Sequence, residues 1–290
     1  MIQESELILR PDGSLYHLHL HPGQVAPTII TVGDPERVKA VSDQFDRVDL
    51  RVAAREFVTH TGVKNGVPLT VISTGIGTDN VDIVINELDA LFNIDLERRE
   101  VREEKTQLTF IRLGTSGAFQ SDLALGSFLL SEAALATDGL LQFYLDSGEP
   151  DELALSLYDH LEDGGVMLPV PALVVRPDLP AVFTDSDLAR GVTLTAAGFY
   201  APQGRSLRLH SGLHAKLLER LRNWREGSHR ITNIEMETSG IYGLASALGH
   251  RSASVSVLLA NRALGTFYDK PGLAVGELIE RGLDLATKTA

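Results

Sequence analysis

The sequence predicts an α/β fold organised as one domain over residues 1–290. Three observations lead there. Segments rich in β-branched residues recur along the chain, and several end in glycine or hydroxyl clusters. Between them lie segments whose apolar residues repeat at helical spacing. No stretch rich in Pro, Gly and Ser divides the chain at its middle and no motif returns at a fixed period, so strand, glycine-rich turn and helix form one continuous phrase. In such a sheet, open or partly closed, ligand groups gather at the carboxyl ends of the strands.

The first strand is residues 28–32, TIITV. The helix after it spans 35–45, with Asp34 as N-cap and Pro35 at the first helical position, where a missing N–H costs little. A second strand is read at 69–73. The helix at 79–92 follows because Val81, Val84, Ile85, Leu88 and Leu91 fall on one face. Residues 96–106, LERREVREEKT, are almost wholly charged with mixed signs and read as a solvated helix extension or surface excursion without a chemical role. Strands at 108–113, 127–130 and 192–195 come next, then a helix through Ile241, Leu244 and Leu248, a strand at 254–259 and a closing helix at 273–286.

Arg112 stands against this hydropathy pattern. It lies in FIRLGTSG, flanked by Phe110, Ile111 and Leu113, and reads as a charge on a buried strand, which is tolerated only when paired and hydrogen-bonded. The residues after it, 114–117, read as a glycine-closed turn whose N–H groups and two hydroxyls would suit an oxyanion such as phosphate. A structural salt bridge from Arg112 to an Asp or Glu is the alternative.

Charge and composition narrow the function. The net charge of −13 argues against nucleic acid polymers and anionic membrane surfaces, which demand a basic face. With no cysteine there is no disulfide, thiolate nucleophile or Cys-ligated zinc. The N-terminus has no basic start with an apolar core of signal-peptide length, and no 18 apolar residues run together, so the expectation is a soluble cytoplasmic protein.

Other motifs pair arginine, glycine or acid with an element's end. TVGDPER places Gly33 at the end of a strand and Arg37 in the first turn of a helix, where free N–H groups favour an anion; a solvated arginine is the plainer reading. REF puts Arg55 beside Glu56, for which a local ion pair is the default. STGIG, from Ser73, is a second glycine turn that close strand-on-helix packing would explain. NIEMET carries Glu235 and Glu237 around Met236 at a helix start, where capping competes with a role as acceptor for the vicinal hydroxyls of a ribose. His17, His19 and His21 alternate, and His210 with His214 has i, i+4 spacing; neither set has a nearby carboxylate in sequence to complete a metal site.

Together, TVGDPER, REF, STGIG, RLGTSG and EMET occur in the order found in the nucleoside phosphorylases of the trimer-and-hexamer superfamily, which the chain resembles over nearly its whole length. FYAPQGR, with Phe199, Gln203 and Arg205, and LLANR, ending in Arg262, are similar to the uridine phosphorylase branch. The resemblance implies a three-layer α/β/α fold with a mixed, partly barrel-like sheet. It implies phosphate binding by Gly33, Arg37, Arg112 and Thr115, with Arg55 reaching in from a neighbouring subunit. Met236 and Glu237 would hold the ribose, with His17 of the adjacent protomer at its 5′ end, and Phe199, Gln203, Arg205 and Arg262 would form the base pocket. Glu56 and Ser73 match positions that bind a monovalent cation such as K+ between subunits in some relatives; no other cofactor is implied, and inorganic phosphate is the co-substrate.

The implied reaction is phosphorolysis of a pyrimidine nucleoside to the free base and a (deoxy)ribose 1-phosphate, by a homo-oligomeric pentosyltransferase of pyrimidine salvage with sites shared between protomers. Arg112, Glu237 and Arg205 would carry it. Purine-specific relatives typically carry an aspartate in a Ser-Asp pair where this chain has Asn261-Arg262, so the resemblance implies that the group expected to protonate a purine is absent. The chain departs from the family pattern at Ala201-Pro202, at Arg208 and His210 where relatives often have an acid, at Thr78-Asp79-Asn80, and at 96–106, which resembles an insertion. A purine nucleoside phosphorylase, a water-using nucleosidase and a non-catalytic nucleoside-binding protein are the competing readings.

Overall fold

The computed structural model describes residues 1–144, 151–212 and 215–289. Its elements in chain order are β1 (Thr28–Val32), α1 (Pro35–Ser42), β2 (Arg47–Ala54), β3 (Phe57–Lys64), β4 (Val67–Ser73), α2 (Thr78–Asn93), β5 (Ile94–Asp95), β6 (Glu100–Val101), β7 (Thr109–Ala118), β8 (Phe128–Ala136), α3 (Glu152–Asp163), β9 (Leu173–Val175), α4 (Ala181–Thr184), β10 (Ala189–Thr195), α5 (Ala215–Asn223), β11 (Ile231–Glu235), α6 (Thr238–Ala247), β12 (Arg251–Asn261), β13 (Thr266–Phe267) and α7 (Pro271–Ala286).

The central sheet is mixed and partly closed. Strands run β12-β8-β10-β11-β7, and β12 pairs a second time with β7, which closes these five into a barrel; β1, β4, β3 and β2 continue from β7 as an open wing. Two apolar layers cover the wing and the adjoining barrel wall. On one side Val81, Val84, Ile85 and Leu88 of α2 pack with Ile241 and Leu244 of α6. On the other, Val38 and Val41 of α1 pack with Leu278, Ile279 and Leu283 of α7. A third cluster seats α3 and α5 on the barrel strands through Leu157, Leu161, Leu217 and Leu221. The expected three-layer arrangement with a barrel-like centre is therefore what forms, because each helix has one apolar face and each sheet face needs a cover.

Four local expectations change. Residues 114–117 do not turn: β7 runs on to Ala118, pairing Gly114 with Ser256 and Gly117 with Ala260 of β12. The small residues are there for clearance, since a Cβ on Gly114 would overlap the Arg112 guanidinium and one on Gly117 would crowd the stem of Arg262. The helix at 35–45 stops at Ser42 and is capped by Asp43, whose N–H returns to Lys39. The charged segment 96–106 is a surface excursion rather than a helix extension, folded as the β5–β6 hairpin, with Ile2 N–H donating to Arg99 O. The edge strand β2 and its neighbour β3 were not expected, because their polar alternation is that of strands with one wet face.

Candidate active site

The barrel and wing strands end around one cavity of about 900 Å3, and most of the residues singled out above line it. Gly33 follows β1, Arg37 lies in the first turn of α1, and Arg112 and Thr115 belong to β7. Arg37 Nη1 donates to Leu113 O at 3.4 Å, which brings the two arginines to the same wall. Both turns that shape this wall are glycine turns: a Cβ on Gly33 would press on Gly75 O, and Gly75 itself has φ 70°.

At the centre is a buried ion cluster. Arg112 Nη2 lies 2.6 Å from Glu237 Oε2 and 3.1 Å from Glu235 Oε2, and Nη1 donates to Ser256 Oγ at 3.0 Å. Burial works against the Arg112 charge, but the two carboxylates more than offset it and hold the guanidinium above its ordinary pKa. Removing one partner from such a cluster would cost about 3–5 kcal/mol. The two readings of Arg112 thus coincide: it is salt-bridged to acids, and it lines a cavity.

The acids flanking Met236 divide their work. Glu235, the last residue of β11, takes the capping role: it accepts from the N–H groups of Glu237 and Thr238, both at 3.0 Å, and from Thr195 Oγ1 at 2.7 Å. Glu237 makes no side-chain cap to α6. Its Oε1 accepts instead from Gly77 N–H at 2.9 Å, so the STGIG turn, whose Gly77 has φ 100°, delivers a backbone donor to this carboxylate. Met236 and Glu237 both line the cavity.

Beyond them, Phe199, Gln203, Arg205 and Arg262 form the far end. The Arg205 guanidinium lies 3.8 Å from the Phe199 ring centroid, and its Nη1 donates to Phe199 O and to Gln203 Oε1. Arg262 Nη2 donates to Gln203 O at 3.0 Å, whereas its Nη1 is buried with no hydrogen-bond partner among the described residues. Burial and the neighbouring Arg262 lower the Arg205 pKa, and burial and Arg222 lower that of Arg262. Arg37 is lowered in the same way by burial and by Arg112. Arginines crowded until they repel one another favour an anionic occupant.

Asn261 is fixed beside them as a structural amide. Its Nδ2 donates to Gln120 O and Leu123 O, and its Oδ1 accepts from the N–H groups of Ala263 and Leu264. The following β13 hairpin brings Thr266 and Phe267 to the cavity, which no feature of the sequence had marked.

The remaining candidates lie elsewhere. Arg55 occupies the β2–β3 corner with φ 56°, its guanidinium 5.4 Å from the centroid of the Tyr16 ring. His17, next to that tyrosine, holds Glu87 through Nδ1 at 2.6 Å. Glu56 is exposed, and the buried Ser73 hydroxyl is engaged by backbone, donating to Glu56 O and accepting from Val58 N–H. Within the protomer the pair thus presents one exposed carboxylate and one hydroxyl already engaged by backbone. The histidines 17, 19 and 21 do not share one face: His19 has φ 56°, and His19 and His21 turn toward Asp12, a carboxylate not foreseen, while His17 faces Glu87. His210 is exposed and His214 lies outside the described residues.

Comparison with known proteins agrees with this geometry. Residues 27–282 match the model of the Phosphorylase superfamily. The chain is 32% identical over 262 residues to a uridine phosphorylase of Thermococcus kodakarensis, covering 88% of this chain and 80% of that protein. It is 29% identical over 254 residues to a uridine phosphorylase of Haemophilus influenzae, covering 86% of each. Among solved structures it superposes with a TM-score of 0.85 on a Trypanosoma brucei nucleoside phosphorylase that shows uridine phosphorylase activity, at 26% identity, covering 98% of this chain and 100% of that one.

Proposed function

The chain belongs to the phosphorylase superfamily, and from that membership we propose that it cleaves uridine-type pyrimidine nucleosides with inorganic phosphate, releasing the free base and a (deoxy)ribose 1-phosphate. It is an enzyme, a pentosyltransferase. The observation that supports the reading most is the order of groups along the cavity: two arginines at one wall, the Arg112–Glu237 pair in the middle, and a cluster of donors without a carboxylate at the far end.

The chemistry follows that order. As a phosphate oxygen approaches C1′ and the N-glycosidic bond breaks, positive charge grows on the sugar and negative charge on the base. Arg37 and Arg112, with the Thr115 hydroxyl, orient the phosphate through directional hydrogen bonds and hold the nucleophile at the anomeric carbon, which saves translational entropy. Glu237 has acceptor positions left after Gly77 and Arg112, and it takes the ribose hydroxyls while its charge favours an oxocarbenium-like sugar. Gln203, Arg205 and Arg262 meet the base carbonyls, and their pull strengthens as the ring gains electrons. A base leaving as a stabilised anion needs no general acid, in keeping with an Asn261-Arg262 pair that holds no carboxylic acid. A purine-specific reading is disfavoured on the same ground.

The reading includes a homo-oligomer of this chain. Arg55 and the neighbouring His17 stand outside the cavity of their own protomer, which supports their entry into that of a second copy. It also includes a cytoplasmic place in pyrimidine salvage, which the cysteine-free, acidic sequence supports. No helix among the described residues is long and apolar enough to cross a membrane.

A panel of nucleosides assayed for base release with and without inorganic phosphate tests the proposal. Uracil release from uridine only when phosphate is present supports it. Release without phosphate, or preferential cleavage of inosine, overturns it.

A further inference from the structure

Two acids flank Met236, and their surroundings differ in one decisive way. Four hydrogen bonds reach the two oxygens of Glu235, from Thr195 Oγ1, from Glu237 N–H and, to both oxygens, from Thr238 N–H, and Arg112 Nη2 forms an ion pair with Oε2 at 3.1 Å. A carboxylate has roughly four lone-pair sites, so Glu235 has none left for a substrate hydroxyl. Thr195 Oγ1 itself accepts from Ser239 N–H, which commits its own hydrogen to Glu235. Among the described residues Glu237 has two donors, Gly77 N–H and Arg112 Nη2. Both carboxylates grip the same guanidinium nitrogen, and Ser256 holds the other terminal one. The remaining donors of Arg112 are thereby aimed in a fixed direction.

We propose that Glu235 is a positioning residue of this site: a single carboxylate ties the Arg112 fork to the first turn of α6, so that the guanidinium and Glu237 keep a constant mutual orientation at the cavity wall. The identity of the two ligands they meet, phosphate and ribose, rests on the reading given above. Glu235 touches neither. It acts on phosphate through Arg112, and it sets where Glu237 begins through the two N–H groups it caps.

A double-mutant cycle on inorganic phosphate affinity, measured by titration calorimetry, separates this role from a merely structural one. Glu235→Asp keeps the charge but withdraws the carboxylate by about 1.5 Å. Arg112→Lys keeps the charge but removes the fork. All four proteins hold the same buried charges, and thermal unfolding checks that each is folded. In the wild-type background Glu235→Asp is expected to weaken phosphate binding by about tenfold or more, and in the Arg112→Lys background by less than about threefold, because there is no fork left to aim. Equal losses in both backgrounds, or a loss below about threefold in the wild type, overturn the proposal. If Glu235→Asp does not fold, Glu235→Gln replaces it with the same expected pattern, since its amide keeps the length but sets an NH2 group, which cannot accept, against donors that a carboxylate oxygen now holds. A wild-type protein that binds phosphate yet releases no base would overturn the functional reading and leave the cycle readable; one that binds no phosphate would overturn both.

Discussion

Gly114 lies directly against the guanidinium of Arg112, two residues earlier on the same strand: a Cβ at residue 114 would overlap Nη1, Cζ and Nη2 together. Side chains two apart on a strand share a face, so a long cation folded back along β7 needs a glycine in that place. Because Arg112 is buried and held by Glu235, Glu237 and Ser256, it cannot swing into solvent to make room. Gly114→Ala is therefore expected to displace the fork by about 1 Å, lower phosphate-dependent turnover by about 100-fold and cost about 1–3 kcal/mol of stability. Steady-state kinetics with phosphate as the varied substrate, beside urea unfolding, checks this. Wild-type turnover in the variant would mean that the seat is not needed.

The site was legible in the sequence in outline and illegible in its joints. Helical spacing at Val81, Val84, Ile85 and Leu88 and the cap at Asp34 placed α2 and α1 to within a few residues, since burial of one face is a strong periodic signal. Arg112 was conspicuous for a physical reason, as a charge among Phe110, Ile111 and Leu113. The residues 114–117 misled, because glycine and hydroxyl side chains serve equally well in a turn and in a strand that must leave space for a guanidinium. Glu235 and Glu237 could not be told apart, since their roles depend on which one falls at the last position of β11, and helix and strand boundaries are set by tertiary contacts. Ser256 and Gly77, far from Arg112 and Glu237 in sequence, enter the cluster only through the pairing of β12 with β7 and the approach of α2 to α6. The arginines and glutamine at the far end were recognisable by family pattern alone.

Alkaline pH should reveal a second link, between α2 and the segment after β8. Tyr144 donates its hydroxyl to Asp82 of α2. Partial burial, together with that bond and the Asp82 charge, raises its pKa from 10.0 to about 12. The folded state thus keeps the phenol proton where the unfolded chain loses it. The stabilisation is complete below the ordinary tyrosine pKa of about 10 and is lost as pH rises through the folded value. Urea unfolding across this window should show a steeper loss of stability for the wild type than for Tyr144→Phe. Parallel curves would remove Tyr144 as the cause.

Subunit mixing tests the placement of Arg55 outside its own cavity. Arg55→Ala and Glu237→Ala are each expected to be inactive alone. If Arg55 serves the cavity of a second copy, a hybrid holds one site with both wild-type residues and another with neither. Random mixing of the two variants, by mild dissociation and reassembly, should then restore roughly a quarter of wild-type activity in a dimer-based assembly. Activity that stays at the level of the parents would place both residues in the same protomer's site.

Asn261 offers the sharpest test of why the base end should favour pyrimidines. The simplest idea for gaining purine cleavage is to place an acid in the Asn261-Arg262 pair, where purine-specific relatives carry a Ser-Asp pair, and Asn261→Asp is its most conservative form. The hydrogen bonds of Asn261 argue against it. Its Nδ2 donates to the carbonyls of Gln120 and Leu123, so a carboxylate there would face two acceptors with no proton between them. Oδ1 alone would keep its partners, the N–H groups of Ala263 and Leu264. Leaving two buried carbonyls unsatisfied costs about 1–3 kcal/mol each, and the variant relieves that strain by holding a proton on the oxygen that faces them, directed away from the cavity. A proton held there cannot be given to a purine ring. Asn261→Asp is therefore expected to lower stability at neutral pH, to recover part of it as pH falls, and to gain no inosine phosphorolysis. Appearance of hypoxanthine from inosine in this single variant would show that the loop adjusts freely and that the amide's four hydrogen bonds do not exclude purines.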